Sequence, residues 1–190
     1  MRRVMGMAVV AVVLLMAPMT WAASVFEVMA DIQERITWQV WNANGWAASP
    51  IVVDAVIAQN KKGPIPGMDN AKWKTVPEND AIVQGFINNE TGKFLQAELA
   101  KTEGVCVGAF LNAANGEKVA FSEKTGSYIH KGSAKFDAPF TTGKAWQGAA
   151  ELEDKVYIIQ ISVPVLSEGK PIGALVVEID GTKLEGLVKK

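Results

Sequence analysis

Apolar residues recur at three- and four-residue intervals from Val25 to Trp41, at Val25, Val28, Met29, Ile32, Ile36 and Val40. Glu27, Asp31, Glu34 and Arg35 fill the intervening positions, so the segment predicts an amphipathic helix. Asn44-Gly45 carries the turn chemistry expected to stop it. Ser49-Pro50 predicts a second start, with Ser49 as N-cap and Pro50 at the first helical position. That second helix, through about Gln59, is apolar nearly all round and is expected to be buried. Lys61 to Gly67, with two prolines and two glycines, predicts a loop, and shorter helices follow near Asp80–Ile87 and Gly92–Lys101.

The period then changes. Val105–Leu111 and Lys118–Ser122 read as strands, joined by the turn-rich Asn112-Ala113-Ala114-Asn115-Gly116. Tyr128 to Phe140 is read as irregular, and Lys144–Leu152, Val156–Leu166 and Ile172–Ile179 give three further strands. The alternation in the fourth strand puts Tyr157, Ile159, Ile161, Val163 and Val165 on one face, expected to pack on helix. Val156, Ile158, Gln160 and Ser162 share the other face, which is suited to lining something wetter. Helices followed by tightly connected strands imply an α+β domain: a long N-terminal helix and short helices packed on a five-stranded antiparallel sheet. Its helical part covers about 24–103 and its sheet part about 104–190.

The N-terminus adds a second kind of information. Arg2 and Arg3 precede an apolar run from Val4 to Met19, and Thr20, Ala22 and Ala23 provide small residues after it. This order predicts a secretory signal peptide over residues 1–22, with an uncleaved anchor as the alternative. The run is shorter than the roughly 20 residues a spanning helix needs. Loss of Arg2 and Arg3 moves the formal charge from −1 to −3, which argues against a nucleic-acid partner. The single cysteine, Cys106, lies in an apolar run and is expected to be buried; it allows neither an internal disulfide nor a cysteine metal cluster.

No catalytic constellation stands out. His130 is the only histidine, no serine sits in a nucleophile-elbow pattern, and no phosphate-binding glycine loop occurs, so neither enzymatic activity nor a bound cofactor is expected. A binding site has more support. Tyr128, His130, Lys131 and Lys135 fall in one glycine-containing stretch, with Trp146 and Tyr157 on the strands that follow. Cations, ring hydroxyls and apolar walls are what a pocket for a small carboxylate requires. The plain alternatives are solvated loop charges for Lys131 and Lys135, and packing roles for Trp146 and Tyr157. Trp38 and Trp41, three apart, share a helix face and with Trp46 either hold the first helix to the second or form an exposed patch for a partner.

Several of these segments, in this order, resemble the Cache family of extracytoplasmic sensor domains, which have a PAS-like sheet. They are Asn44-Gly45-Trp46 running into Ser49 to Val56, then Gln59-Asn60, Phe110 to Gly116, and Ser122 to Tyr128 with Gly132. The most specific is Tyr157 to Val165, a turn, then Gly169 to Val177. The resemblance implies a single such domain that binds a small organic metabolite, with the segment around Ser122–Gly132 over the ligand cavity. It also implies signalling to a membrane-bound sensor kinase or chemoreceptor. The sequence ends at Lys190 without an output domain, so a signal is expected to leave through a partner protein. The alternative is a non-catalytic interaction or dimerisation module with a filled pocket, in which the N-terminal helix is the contact surface.

Overall fold

The structure is a computed structural model that describes residues 30–188; the expected signal peptide and the start of the first helix lie outside these residues. Helix α1 (Ala30–Ala47) runs on through Asn44-Gly45, where a stop is predicted. Glycine inside a helix costs about 1 kcal/mol relative to alanine. Burial of Trp46 and Ala47 just beyond it outweighs that cost, and the Asn44 side chain donates back to the Val40 carbonyl at 2.8 Å. Ile32, Ile36 and Ala43 form the inward stripe, whereas Trp38 and Trp41 point outward, 59% and 65% exposed, stacked on one another at 5.0 Å. They therefore do not pin α1 to its neighbour.

Helix α2 (Pro50–Lys62) starts at the predicted Ser49, although the Ser49 side chain makes no cap bond. Only Val52 and Val56 are fully buried, so this helix is half-buried rather than enclosed. Three short helices follow: α3 (Asn70–Thr75), α4 (Ala81–Asn88) and α5 (Glu90–Ala100). Each is capped by the side chain before it, from Asp69, Asp80 and Asn89 respectively. Helix α3 has no counterpart in the sequence reading, since six residues are too few to display a period.

Strands β1 (Cys106–Ala113), β2 (Lys118–Phe121), β3 (Trp146–Glu153), β4 (Val156–Ser167) and β5 (Lys170–Asp180) form one antiparallel sheet in the order β2-β1-β5-β4-β3. Two more helices complete the described chain. Helix α6 (Ala134–Thr142) occupies the stretch read as irregular, where Pro139 and a sparse apolar pattern hide the helix, and α7 (Gly181–Val188) follows β5 directly.

The sheet separates two unlike environments. On one side Ile159, Ile161, Val163 and Val165 of β4 join Leu175, Val177 and Ile179 of β5 beneath α1 and α2 in a continuous apolar core. Cys106 is buried at its edge, where burial pushes the thiol up to about 11. On the other side a smaller aromatic cluster holds Trp73, Phe110, Phe121, Tyr128 and Val176. This second side also carries Asn112, Lys118 and Ser162, all fully buried. The alternation along β4 thus has the predicted sense, except that Tyr157, at the strand's start, is 37% exposed rather than packed on helix.

Candidate functional site

A cavity of about 330 Å³ opens on the polar side of the sheet. Its floor includes one cross-strand row, Gly108 of β1, Glu178 of β5 and Gln160 of β4, which the register aligns side by side. Gln160 Nε2 donates to Glu178 Oε1 at 2.8 Å. Glycine at the end of the row is a spatial requirement. A Cβ at position 108 would stand 2.6 Å from Glu178 Oε2 and 3.5 Å from Glu123 Oε1. Two carboxylates therefore converge over the bare backbone of Gly108. Burial, reinforced by Glu178 and Glu78, holds the Glu123 carboxyl above its ordinary value.

The wall over this floor is built from the segment following β2. Trp73 of α3 donates through Nε1 to the Thr125 carbonyl at 2.7 Å, and the Ala109 amide donates to Ser122 Oγ at 3.1 Å. Asn70 accepts from the amides of Tyr128 and Ile129 and donates to the Ile129 carbonyl, so one side chain holds that segment as a neighbouring strand would. The His130 amide donates to the Gly116 carbonyl at 2.8 Å. Gly116, at φ 82°, lets the chain pass this closely, since a Cβ there would stand 2.3 Å from the Lys131 nitrogen. His130 and Lys135, the latter from the first turn of α6, both face the cavity.

Beneath this wall lies a set of polar groups that the protein's own atoms leave unbonded. Lys118 Nζ, His130 Nδ1, both side-chain polar atoms of Asn112, Ser162 Oγ and both carboxylate oxygens of Glu117 are buried without hydrogen-bond partners. The Lys118 ammonium nitrogen lies 3.4 Å from the Phe110 ring centroid, and the His130 ring packs on the same phenylalanine at 4.7 Å. Burial holds the Lys118 amine well below the ordinary lysine range; Glu178 opposes that shift and Lys135 adds to it. Burial, then Lys118 and Lys135, lowers His130 to about 2, so its ring is neutral.

Of the six residues singled out from the sequence, the structure brings His130 and Lys135 to this cavity. Tyr128 is instead fully buried against Trp73 at 5.5 Å, its hydroxyl accepting from the Ile65 amide at 2.9 Å, which makes it a core residue behind the wall. Burial, the leading cause, raises its hydroxyl pKa. Lys131 is exposed beside Gly116, Trp146 covers Gly148 on the edge strand β3, and the Tyr157 amide donates to Thr182 Oγ1. None of these three lines the cavity. Glu123, Glu178, Gln160 and Lys118 were not singled out. The signal for Glu178 is a lone acid inside the apolar run Val176–Ile179, and for Gln160 its place on the wet face of β4.

The sequence matches no family profile and no curated protein. Solved structures do resemble it. The sensor domain of the Vibrio cholerae histidine kinase DctB superposes with a TM-score of 0.52 at 17% identity, over 82% of this chain and 54% of that one. The ligand-binding domain of the Campylobacter jejuni chemoreceptor Tlp3, in complex with 4-methylisoleucine, gives 0.47 at 20% identity, over 84% and 58%. That of the Pseudomonas aeruginosa amino-acid chemoreceptor PctC, in complex with GABA, gives 0.46 at 12%, over 83% and 58%. The chain thus spans little more than half the length of each of these neighbours. Among the described residues, no helix is long and apolar enough to cross a membrane. The chain has the PAS-like α+β fold of the Cache-type sensor domains, as the order of its sequence segments implies.

Proposed function

We propose that this protein is a non-catalytic sensor domain that binds a small zwitterion, an amino acid, in the cavity over Gly108. The observation that carries this reading is the opposition of charge across a small open cavity. Glu123 and Glu178 converge at one end, and Lys135 stands on the covering helix. The paired carboxylates suit an ammonium group, because burial and then repulsion from Glu178 raise the Glu123 carboxyl, and a cation between the two offsets that repulsion. Lys135 suits the ligand carboxylate as a charge-assisted donor. The volume, near the lower end of the usual range for ligand pockets, fits a metabolite rather than a polymer.

In this reading residues 1–22 direct export and are removed, and 23–190 act outside the cytoplasm. The signal passes by contact to a membrane-bound sensor kinase or chemoreceptor. The test is a thermal-shift screen of the purified protein against amino acids, amines and carboxylates. A ligand at 100 times its Kd adds about 2.7 kcal/mol, a rise of roughly 5–10 °C for a chain of this size. The rise is expected for amino acids and to disappear in Glu178→Gln. A flat screen on folded protein removes the proposal.

One observation favours a second reading, in which the domain works as a dimerisation or interaction module through α1: the stacked, outward-facing Trp38 and Trp41. Two exposed tryptophans on one helix face are a common feature of contact surfaces. Light scattering distinguishes the two readings. A dimer that becomes monomeric in the double variant Trp38→Ser, Trp41→Ser, together with a flat ligand screen, favours the module.

A further inference from the structure

Lys118 has no role in the binding scheme above, yet it is the most unusual charged group in the described chain. Its side chain is fully buried, and its nitrogen meets the face of Phe110 and no hydrogen-bond acceptor. A buried amine left without an acceptor is costly to a fold even when neutral. An apolar residue of the same length would avoid that cost. Lys118 is not remote from the cavity. Phe110, which it touches, forms part of the cavity lining, as do Glu178 and Lys135, the two groups whose charges it feels most. Its cross-strand partner Asn112 is likewise fully buried with both polar atoms unbonded.

We infer that Lys118, with Asn112 beside it and Phe110 as the shared wall, forms an inner anion subsite that receives a second carboxylate, so that the domain prefers acidic amino acids. This deepens the amino-acid reading above and rests on it. The ligand's ammonium group takes the Glu123–Glu178 end and its α-carboxylate takes Lys135. The side-chain carboxylate is directed past Phe110 toward the Lys118 nitrogen and the Asn112 amide. The unbonded donors of both residues then gain an acceptor, which compensates their burial. Burial holds the Lys118 amine well below the ordinary lysine range, and an anion beside it favours the charged form, so binding is expected to draw protons from solvent. A neutral amino acid fills only the outer end and takes up no proton there.

The experiment is calorimetric titration of the full chain with L-glutamate, L-aspartate, L-alanine and succinate. It is run at pH 8 in two buffers of different ionisation enthalpy, for the native protein and for Lys118→Met. The inference expects an acidic amino acid to bind at least tenfold more tightly than alanine, with net proton uptake on binding. Both the preference and the uptake are expected to be lost in Lys118→Met, while alanine binding stays within threefold. Met is close to Lys in length and carries no unbonded donor, so this variant is expected to melt no lower than the native protein. If it fails to fold, the preference and proton uptake of the native protein still decide the matter. Alanine binding as tightly as the acidic amino acids overturns the inner subsite and leaves the amino-acid reading standing. An acidic preference that survives intact in Lys118→Met overturns the assignment to Lys118. Tight succinate binding with no amino-acid binding, or no binding at all, removes the amino-acid reading and this inference together.

Discussion

The neutral His130 makes the stability of this domain sensitive to mild acid in a way that can be isolated. Its ring is buried against Phe110, Nδ1 has no partner, and burial with Lys118 and Lys135 nearby takes its folded value to about 2 against an ordinary 6.5. The folded pKa is depressed for a basic group, so the folded protein stays unprotonated where the unfolded chain takes up a proton. Stability is therefore full above about pH 6.5 and is lost as pH falls below it. The slope is about 1.4 kcal/mol per pH unit and continues until the folded value is reached. By pH 4.5 the loss attributable to this one group is about 2.7 kcal/mol, a large part of the 5–15 kcal/mol that holds a typical domain together. The assay is urea unfolding of the native protein and of His130→Gln at pH 7.5, 6.5, 5.5 and 4.5. Carboxylates titrate in both proteins and cancel in the difference. The native protein is expected to lose about 2–3 kcal/mol more than the variant between pH 7.5 and 4.5. Parallel stability curves would show that His130 is protonated in the folded state, and the dry, cationic setting described for it would be wrong.

Other substitutions test other parts of the structure. Gly108→Ala puts a methyl group 2.6 Å from Glu178 Oε2, the far end of a flexible side chain. The domain is therefore expected to stay folded while amino-acid affinity falls at least tenfold, and unchanged affinity would separate the carboxylate pair from the ligand. Trp73→Ala empties the centre of the aromatic cluster and removes the bond to Thr125. The expected loss is about 3–5 kcal/mol in urea unfolding, and a loss below 1 kcal/mol would refute the anchoring role given to α3. Trp38→Ser with Trp41→Ser changes only exposed surface and is expected to alter stability by less than about 1 kcal/mol, so any effect of the pair is to be sought in self-association.

The strands were legible because each has one face in a dry core. Ile159, Ile161, Val163 and Val165 repeat with period two, and the five strands lie within a few residues of their predicted places. The helices that were missed are those whose order comes from distant partners. Helix α3 is held by Trp73 under Thr125, and α6 by Phe136 and Pro139 buried against the sheet; neither leaves a periodic trace in its own few residues. The same distinction runs through the site. His130 and Lys135 come to the same cavity from one short stretch of chain, which a local reading can see. Tyr128 turns instead into the aromatic cluster, because its apolar neighbours, Trp73 and Phe86, come from far back in the chain. Glu178 and Gln160 meet only through the β4–β5 register, which no local window displays.

The two sides of the sheet also explain how a domain of this size tolerates so many unsatisfied groups. The α1–α2 side buries an unbroken apolar layer from four strands, the larger of the two cores that hold the sheet. The opposite side is then free to be poorly optimised for stability. It buries Asn112, Glu117, Lys118 and Ser162, and places Glu123 near Glu178, although each arrangement is unfavourable by itself. A fold selected for stability alone would fill that side with the aliphatic residues used on the first. Groups that are costly when empty and favourable when a charged ligand arrives make binding a large change in the domain's internal energetics. In the proposed binding mode that change is concentrated where α6 crosses β4 and β5, and Lys135 would link the ligand to a helix that packs on both strands.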